Sequence, residues 1–456
     1  MKKLCYASLI LVISLTLLFT LKVPVCAQSL SIPEDVHYVL IDSKTGLVMA
    51  EQNADIQIKP ASLTKILTAI VALENGDLQQ EMTISQAAVN DIGRGGMNIG
   101  IMAGETGLTL ENMLNVMLIK SANETANIIA ENLAPSRSEY MDIMNEKAKE
   151  IGALNTYYVN PSGKDTEKED APHVTTARDM AAMARYAMTI PEFRKIVATE
   201  YYYGMPSSTN KHADGWDPLV LRNTNKFLWY DNTYTYTFQG EEHEYTVTGM
   251  KTGYTGAAGN NLVISATGED GMELICVVMH VMHSNKVYSY ASELLDYGFQ
   301  NYSLQKLSAA GHLVKTVIVE GATGTDNILE LVAETDFAAA MPVSSDSQGI
   351  ETHVEIDSKI QAPVKKGKVL GYIEYKSGNT VLGKVNIVAS RQVMKSAEDT
   401  TDGSGVTAQE HEPQYSYAIL LVLLALCAFV IIRSVLKRIS RKLKKKKYDQ
   451  QFYRSR

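Results

Sequence analysis

Predicted strands on both sides of a helical block are the feature that most constrains the fold of this chain. Residues 36–41 and 47–51 are predicted strands joined by the turn Ser43–Gly46, which makes a β-hairpin. Three more strands follow the helical block, and the turn Gly268–Gly271 joins the last two. They are predicted at Tyr245–Thr255, Asn261–Thr267 and Met272–Val281. This order predicts an α+β domain whose antiparallel sheet is assembled from both ends of the domain.

The block between these strands has the periodicity of helices. From Ser62 to Leu73, apolar residues recur at positions 63, 66, 67 and 70 and so share one helical face. Longer helices are predicted over 108–133 and 137–151. Another is predicted to begin at Thr176, because Thr176-x-x-Asp179 resembles a capping box.

A second domain is predicted over residues 303–395. Its short strands are separated by Gly, Asp and Lys turns, which is typical of a small all-β, β-sandwich-like module. They are predicted at Val314–Glu320, Ile328–Ala333, Thr352–Ile356, Val369–Tyr375 and Thr380–Val388. Residues 396–414 are rich in Ser, Thr, Asp, Glu and Gly without apolar periodicity, which predicts a disordered linker.

Residues 1–27 predict a secretory signal peptide. Lys2 and Lys3 precede an apolar stretch, and Val25-Cys26-Ala27 offers small residues at the −3 and −1 positions of a cleavage site. A retained signal anchor is the alternative. Lipid attachment at Cys26 fits less well, because Val23-Pro24-Val25 lacks the small residues that usually precede a lipidated cysteine.

An uncharged apolar run of 18 residues, 415–432, predicts a single transmembrane helix. The basic tail behind it, 433–456, is expected to remain in the cytoplasm, which places the chain before Tyr415 outside the membrane. A buried core helix is the alternative, and it fits poorly because the residues that follow could not form a core around it.

Charge and cysteine content narrow the class of protein further. The tail from Arg433 has 11 basic residues against Asp449 and the signal segment has three lysines, so a net charge of −8 leaves about −21 on residues 28–432. An acidic exported region does not predict a nucleic-acid partner.

Only Cys276 lies between the signal peptide and the membrane segment, so no intramolecular disulfide is possible there, which suits a bacterial exterior.

Three short motifs could carry chemistry: Ser62-Leu-Thr-Lys65, Ser121-Ala-Asn123 and Lys251-Thr-Gly253. Each is weak alone, because its pattern recurs elsewhere in the chain. The recurrences are Ser303–Lys306, Ser434–Lys437, Ser208–Asn210, Ser377–Asn379 and Lys44–Gly46. Context favours the first three, since only Ser62 begins a strongly amphipathic helix and only Lys251 lies on a strand followed by a strand hairpin.

The Ser62 motif has a physical rationale as a nucleophile and its base. A serine at a helix N-terminus gains from the helix dipole, and Lys65 lies one turn later on the same face. An amine in that place can act as general base if burial or neighbouring cations lower its pKa. The structural alternative is a helix cap at Ser62 beside a solvated Lys65.

The ordered combination resembles the low-molecular-mass penicillin-binding proteins of the serine-type D-alanyl-D-alanine carboxypeptidase kind, peptidase family S11. The likeness runs from about residue 31 to residue 390. The stretches that carry it are Pro60–Thr68, Ser121–Ala126, Asn160–Gly163, His173–Asp179, Gly249–Gly256, Leu294–Phe299 and Ala362–Gly371. It implies a β-lactamase/DD-peptidase-like catalytic domain over 28–302, then the all-β domain and the transmembrane helix.

The resemblance also implies a mechanism. Ser62 would attack the carbonyl between the two terminal D-alanines, and Lys65 would take its proton. Ser121, with Lys251, would relay a proton to the leaving D-alanine. The backbone N–H groups of Ser62 and Tyr254 would form the oxyanion hole. Peptidoglycan stem peptides ending in D-Ala-D-Ala would be the substrate and β-lactams covalent inhibitors, without metal or cofactor.

Substrate binding is likewise implied by the resemblance. Asn123 would hold the amide backbone, Lys251 and Thr252 would attract the C-terminal carboxylate, and Gly253 would let the strand approach closely. The sequence departs from the family in two places. Lys164 follows Gly163 where leucine is common, and Lys286 stands where many members carry a carboxylate-binding arginine.

Several other interpretations also need to be considered. His280 and His283 do not predict a metal site, because too few Cys or carboxylate ligands lie near them in the sequence. Tyr201–Tyr203 could pack in the core or at a cleft edge. A β-lactamase would need a Glu-x-x-Leu-Asn element, and Glu150–Asn155 is one residue too long for it. A non-catalytic wall-binding or scaffold protein is the alternative from another class.

Overall fold

The computed structural model describes residues 30–395, except residues 94, 166–171, 217–219, 230, 284, 323–326 and 344–348. Four predicted segments lie outside the described residues: the signal peptide 1–27, the linker 396–414, the transmembrane helix 415–432 and the tail 433–456. Within the described ranges, no helix is both long and apolar enough to cross a bilayer.

A six-stranded sheet forms the centre of the first domain, with strand order β2-β1-β8-β7-β6-β5. Its strands are β1 His37–Asp42, β2 Val48–Gln52, β5 Thr233–Phe238, β6 Glu241–Thr255, β7 Gly259–Gly268 and β8 Glu273–Val281. Each neighbouring pair is antiparallel. The N-terminal hairpin therefore joins the sheet beside the last strand of the domain, and the α+β prediction is confirmed. β5 was not predicted. A short hairpin of β3 Tyr201–Tyr202 and β4 Leu221–Arg222 lies outside this sheet.

The sheet separates two hydrophobic cores. Because side chains alternate across a strand, Val39 and Ile41 of β1 face one core while Tyr38 and Leu40 face the other. The first core is shared with the helical block. The second is covered by the helix Lys286–Asn301, and Phe299 is among its buried residues.

Eight α-helices occur in the described part of the chain. They are α1 Lys65–Asn75, α2 Gln86–Asn90, α3 Leu110–Asn115, α4 Asn123–Leu133, α5 Arg137–Ile151, α6 Ala177–Ala187, α7 Pro191–Val197 and α8 Lys286–Asn301. The helix predicted at 137–151 is present with those bounds. Thr176 caps α6 as predicted by accepting from the Asp179 N–H at 3.0 Å, but the Asp179 carboxylate binds the Asn155 N–H instead of closing a capping box.

The single helix predicted over 108–133 is wrong. A π-helical turn, Val116–Lys120, follows α3, and Ser121 then adopts a left-handed conformation with φ +66° before α4 begins. Contacts from elsewhere in the chain hold this break. The Asn123 N–H donates to the Met97 carbonyl at 2.8 Å, and the Thr224 N–H donates to the Ile119 carbonyl at 3.0 Å.

The second domain is all-β, as predicted. Its larger sheet has the order β10-β11-β15-β14-β13, formed by β10 Leu313–Ile318, β11 Ile328–Ala333, β13 Ile350–Ile356, β14 Val369–Ser377 and β15 Thr380–Ala389. Two strands that were not predicted, β9 Tyr302–Ser308 and β12 Phe337–Pro342, form a separate antiparallel pair. A third core fills this domain, and Leu331 and Ile387 are fully buried in it.

Candidate active site

Ser62 and Lys65 lie at the junction between a 3₁₀ turn and a helix. The turn spans Ala61–Thr64, and α1 begins at Lys65. Ser62 is thus inside the turn, and its side chain does not cap the helix. The structural alternative, in which Ser62 is a helix cap, is therefore not supported. Lys65 is fully buried, so the solvated lysine of that alternative is also absent.

The Lys65 amine has three hydrogen-bond partners. Its Nζ lies 2.9 Å from Ser62 Oγ, 2.6 Å from Asn123 Oδ1 and 2.6 Å from the Ser162 carbonyl oxygen. A neutral amine has two N–H donors and one lone pair. The amide and carbonyl oxygens can only accept, so a neutral Lys65 donates to both and directs its lone pair to the Ser62 hydroxyl. This is the arrangement of a general base.

Burial and charge both favour the neutral form of Lys65. Burial lowers the pKa of Lys65 well below its ordinary value, and the nearby Lys251 cation lowers it further. Glu124 opposes this shift, but burial raises the pKa of Glu124 itself. The Glu124 carboxylate accepts from the Ile99 N–H at 2.7 Å rather than pairing with the lysine.

The second motif contributes Ser121 and Asn123 through the break between two helices. The left-handed turn at Ser121 redirects the chain so that Asn123 begins α4 beside Lys65. Asn123 Nδ2 donates to the Ile92 carbonyl at 2.7 Å while Oδ1 accepts from Lys65. Ser121 is buried, and its hydroxyl makes no hydrogen bond to Lys65 or Lys251 among the described residues.

The third motif lies on β6 against the Ser62 turn. A Cβ on Gly253 would stand 3.0 Å from the Pro60 oxygen and 3.1 Å from the Ser62 nitrogen, so a larger residue would crowd this close approach. Burial lowers the pKa of Lys251 to about 7, and its Nζ donates to the Thr252 carbonyl at 2.8 Å. The Thr252 hydroxyl donates to Thr224 Oγ1 at 2.7 Å.

The last predicted site residue, Tyr254, follows Gly253 on the same strand. Its side chain is mostly exposed, so a role for this residue would rest on its backbone N–H.

Sequence reasoning missed the roles of Ser162 and Gly163. The Ser162 carbonyl is an acceptor for Lys65, and such a backbone group leaves no side-chain signature. Gly163 has φ +79°, and a Cβ there would lie 1.8 Å from the Ala61 oxygen. Asn160 Oδ1 fixes this loop by accepting from the Gly163 N–H at 2.7 Å. The Asn160–Gly163 stretch was the available signal.

Lys164, where the sequence departs from the family, takes part in an ion-pair network outside the Lys65 cluster. Its amine pairs with Asp91, which also pairs with Arg137. At this position the chain therefore has an ion pair at the edge of the Asn160–Gly163 loop.

His173 was also missed as a structural support. Its Nδ1 accepts from the Val159 N–H at 3.1 Å, so Nε2 carries the proton and donates to Thr64 Oγ1 at 2.8 Å. Burial lowers the pKa of His173 to about 3, which keeps the ring neutral. Thr64 in turn donates to the Ala61 carbonyl at 2.9 Å.

Three of the recurring motifs within the described residues lie apart from this cluster. Ser303 and Ser377 lie on strands of the second domain, and Lys44 donates to the Ala338 carbonyl. Glu150 pairs with Lys147 at the exposed end of α5, so it does not supply the deacylating carboxylate of a β-lactamase.

The structure also shows the surroundings of His280, of the tyrosines at 201–203 and of Lys286. The described residues contain no group of three metal-ligating side chains, and the His280 ring packs against His37. Tyr202 accepts from Asn112 Nδ2 at 2.8 Å, whereas Tyr203 is exposed. Lys286 is exposed at the start of α8.

Comparison with known families identifies both domains. A profile of the D-alanyl-D-alanine carboxypeptidase family, Peptidase S11, matches residues 27–283. A profile of the penicillin-binding protein 5 C-terminal domain matches residues 302–395. The D-alanyl-D-alanine carboxypeptidase DacF of Bacillus subtilis is 29% identical over 364 residues, which covers 79% of this chain and 85% of that protein.

Solved structures share the fold. Penicillin-binding protein 5 from Haemophilus influenzae is 27% identical with a TM-score of 0.59, covering 79% of this chain and 97% of that one. A peptidoglycan synthesis regulatory factor (PBP3) from Streptococcus pneumoniae has a TM-score of 0.63 and covers 78% of this chain and 98% of that one. It is 24% identical, and its likeness concerns the fold alone.

Proposed function

Because this chain belongs to the D-alanyl-D-alanine carboxypeptidase family of serine peptidases, we propose that it releases the terminal D-alanine of peptidoglycan pentapeptide stems through an acyl-enzyme on Ser62. Its activity is that of a serine-type D-alanyl-D-alanine carboxypeptidase, a hydrolase. The observation that carries the residue assignment is the fully buried Lys65 amine, 2.9 Å from Ser62 Oγ and held by two obligate acceptors.

Acylation begins when Ser62 Oγ adds to the carbonyl carbon of the penultimate D-alanine. The seryl proton passes to Lys65 Nζ, whose lowered pKa makes the neutral amine available. The carbonyl oxygen becomes an oxyanion, and the N–H groups of Ser62 and Tyr254 stabilise it. Collapse of this intermediate breaks the C–N bond and leaves the stem peptide as an ester on Ser62.

The leaving D-alanine needs a proton on its amine, and Ser121 with Lys251 supplies it. Ser121 is buried at the break between α3 and α4, and the relay requires its hydroxyl to come within hydrogen-bond reach of both Lys251 and the leaving amine. Water then adds to the ester carbonyl, and Ser62 regains its proton. The net reaction consumes one water and gives the shortened stem and free D-alanine.

Lys251 and Thr252 bind the C-terminal carboxylate in this proposal. Lys251 is 1% exposed, so its cation would act in a site with little competing water. Asn123 orients Lys65 in the structure, and its binding of the substrate amide stays a prediction. β-Lactams would acylate the same Ser62 oxygen, since they present a carboxylate and a reactive amide in a similar arrangement.

The proposed location is the outer face of a bacterial cytoplasmic membrane. The predicted signal peptide 1–27 and the transmembrane helix 415–432 with its basic tail support it. Protease treatment of intact, wall-stripped cells, followed by blotting for each end, tests the orientation. The catalytic domain should be digested and the tail protected, and the reverse result would exclude the proposal.

Mass analysis of a pentapeptide ending in D-Ala-D-Ala tests the reaction. Incubation with the full chain in detergent should remove one alanine, and a stem ending in L-Ala should persist. Turnover of penicillin without loss of alanine from the pentapeptide would instead support a β-lactamase. Absence of both reactions in a protein that also fails to bind labelled penicillin would support the scaffold alternative.

A further inference from the structure

Besides Ser121, two non-glycine residues near the site have left-handed backbone conformations. Ala61, directly before Ser62, has φ +50°, and His280, at the end of β8, has φ +64°. A residue with a Cβ rarely adopts such angles, because the Cβ crowds neighbouring backbone atoms. These conformations persist only where surrounding contacts hold them. The conformation of Ala61 matters for catalysis, since it sets the direction of the Ser62 hydroxyl and N–H.

One buried side chain contacts the backbone at both places. Asn261 lies on β7 and is 2% exposed. Its Nδ2 donates to the Lys59 carbonyl at 3.1 Å and to the Pro60 carbonyl at 3.0 Å. Its Oδ1 accepts from the His280 N–H at 2.8 Å. Both amide hydrogens and the amide oxygen are therefore used in holding irregular backbone.

We propose that Asn261 is a positioning residue for the nucleophile, which it orients by clamping the backbone directly before Ser62. The inference rests on the proposed role of Ser62. Three consecutive carbonyls precede the nucleophile, and side chains hold all of them: Asn261 binds those of Lys59 and Pro60, and Thr64 binds that of Ala61.

The strand register explains how the clamp reaches the reacting groups. Asn261 pairs with Gly253 across β7 and β6, and Gly253 is the residue against which the Ser62 turn packs. From β7, Asn261 thus fixes the Ser62 segment beside β6, the strand that carries both Lys251 and the Tyr254 N–H. If the clamp is lost, Ser62 Oγ can move relative to Lys65, and the Ser62 N–H can turn away from the developing oxyanion.

Asn261→Ala in the full chain tests the clamp. The acylation rate by fluorescent penicillin and kcat on the pentapeptide should fall by about 10-fold to 10²-fold, the loss expected for a misplaced reacting group. KM should remain near the wild-type value, because the groups that bind the carboxylate are not contacted by Asn261. A purely structural role would instead lower the melting temperature and leave kcat of the folded enzyme unchanged.

Asn260→Ala is the matched control. Asn260 is the preceding residue on the same strand, and its Nδ2 donates to the Val281 carbonyl at 2.8 Å, away from the nucleophile. This variant should acylate at the wild-type rate. An equal loss of rate in both variants would overturn the proposal, since it would reflect general damage to β7.

A second-site change gives a readout specific to positioning. Glycine adopts positive φ without a steric cost, so Ala61→Gly should restore part of the acylation rate of Asn261→Ala. If Asn261→Ala folds poorly, Asn261→Gln keeps the amide but displaces it by one methylene, and the same loss of kcat is expected. Wild-type kcat in a folded Asn261 variant, or no recovery with Ala61→Gly, would overturn the proposal. Penicillin labelling of Ser62→Ala would contradict the nucleophile assignment instead.

Discussion

The catalytic site and the second domain place their lysines in opposite environments. Lys65 and Lys251 are at most 1% exposed, and neither forms a salt bridge within the described residues. Burial lowers the pKa of both amines. In the second domain, Lys376 and Lys384 pair with the half-buried Glu374 at 2.8 and 2.9 Å, and Glu374 raises the pKa of Lys384.

This difference indicates which ionisable side chains serve catalysis and which serve only the surface. A buried lysine without a carboxylate partner destabilises the folded state, because its amine must either carry an unpaired charge or lose its proton, so its retention needs a functional reason. Surface pairs such as Glu374 with Lys384 contribute little to stability or specificity. Changes to the first set should therefore alter activity strongly, and changes to the second should leave it intact.

The largest expected effect is that of Ser62→Ala. Removing the hydroxyl should abolish covalent labelling by fluorescent penicillin, because no oxygen remains to form the ester. The protein should stay folded, since Ser62 is not a helix cap. Gel detection of the labelled band measures the effect. Ser303→Ala, a serine of the same short pattern on β9, is the control and should label fully. Undiminished labelling of Ser62→Ala would contradict the nucleophile assignment.

Lys65→Arg should be nearly as damaging although it keeps the positive charge. Arginine stays protonated, so it cannot accept the seryl proton. The acylation rate should fall by about 10² to 10⁴, the usual contribution of a general base. Stopped-flow acylation measures it, with Lys384→Arg as the control. Acylation of Lys65→Arg at a near wild-type rate would require a different base.

The sequence predicted the strands and motifs of the site but not the backbone that aligns them. The sequence placed Lys251 and Gly253 on a strand that is followed by a strand hairpin, and spacing placed Lys65 beside Ser62. The helix break at Ser121 was missed because apolar periodicity continues through 108–133, while the break is held by the distant Met97 carbonyl. The Ser162 carbonyl was missed because a backbone acceptor has no residue signature.

Lys251→Met should stabilise the protein while lowering its activity. Methionine has a similar length and removes a buried charge. The wild-type Lys251 has a pKa of about 7 when folded and its ordinary value of 10.5 when unfolded. The unfolded state therefore binds more protons between these values, so the stability of the wild type rises with pH there.

The gain from Lys251→Met should accordingly be larger at pH 6 than at pH 9. Urea unfolding at the two pH values measures it, and pentapeptide hydrolysis in parallel measures the loss of carboxylate binding as a raised KM. A gain that is equal at both pH values would show that Lys251 stays protonated in the folded state up to pH 9, and therefore that burial does not lower its pKa into this range.

Glu374→Gln should have the smallest effect, and it tests the claim that the surface ion pairs of the second domain contribute little to stability or activity. Its two lysine partners lower the pKa of Glu374 to about 2, so any contribution is present above the ordinary pKa of 4.5 and is lost as pH falls toward 2. Lys384 is exposed, and salt and water screen such a pair. At pH 7 the melting temperature and the acylation rate should therefore match the wild type within error. A clear loss of acylation would mean that the second domain is coupled energetically to the catalytic site, and the charges of the two regions could then no longer be treated as independent.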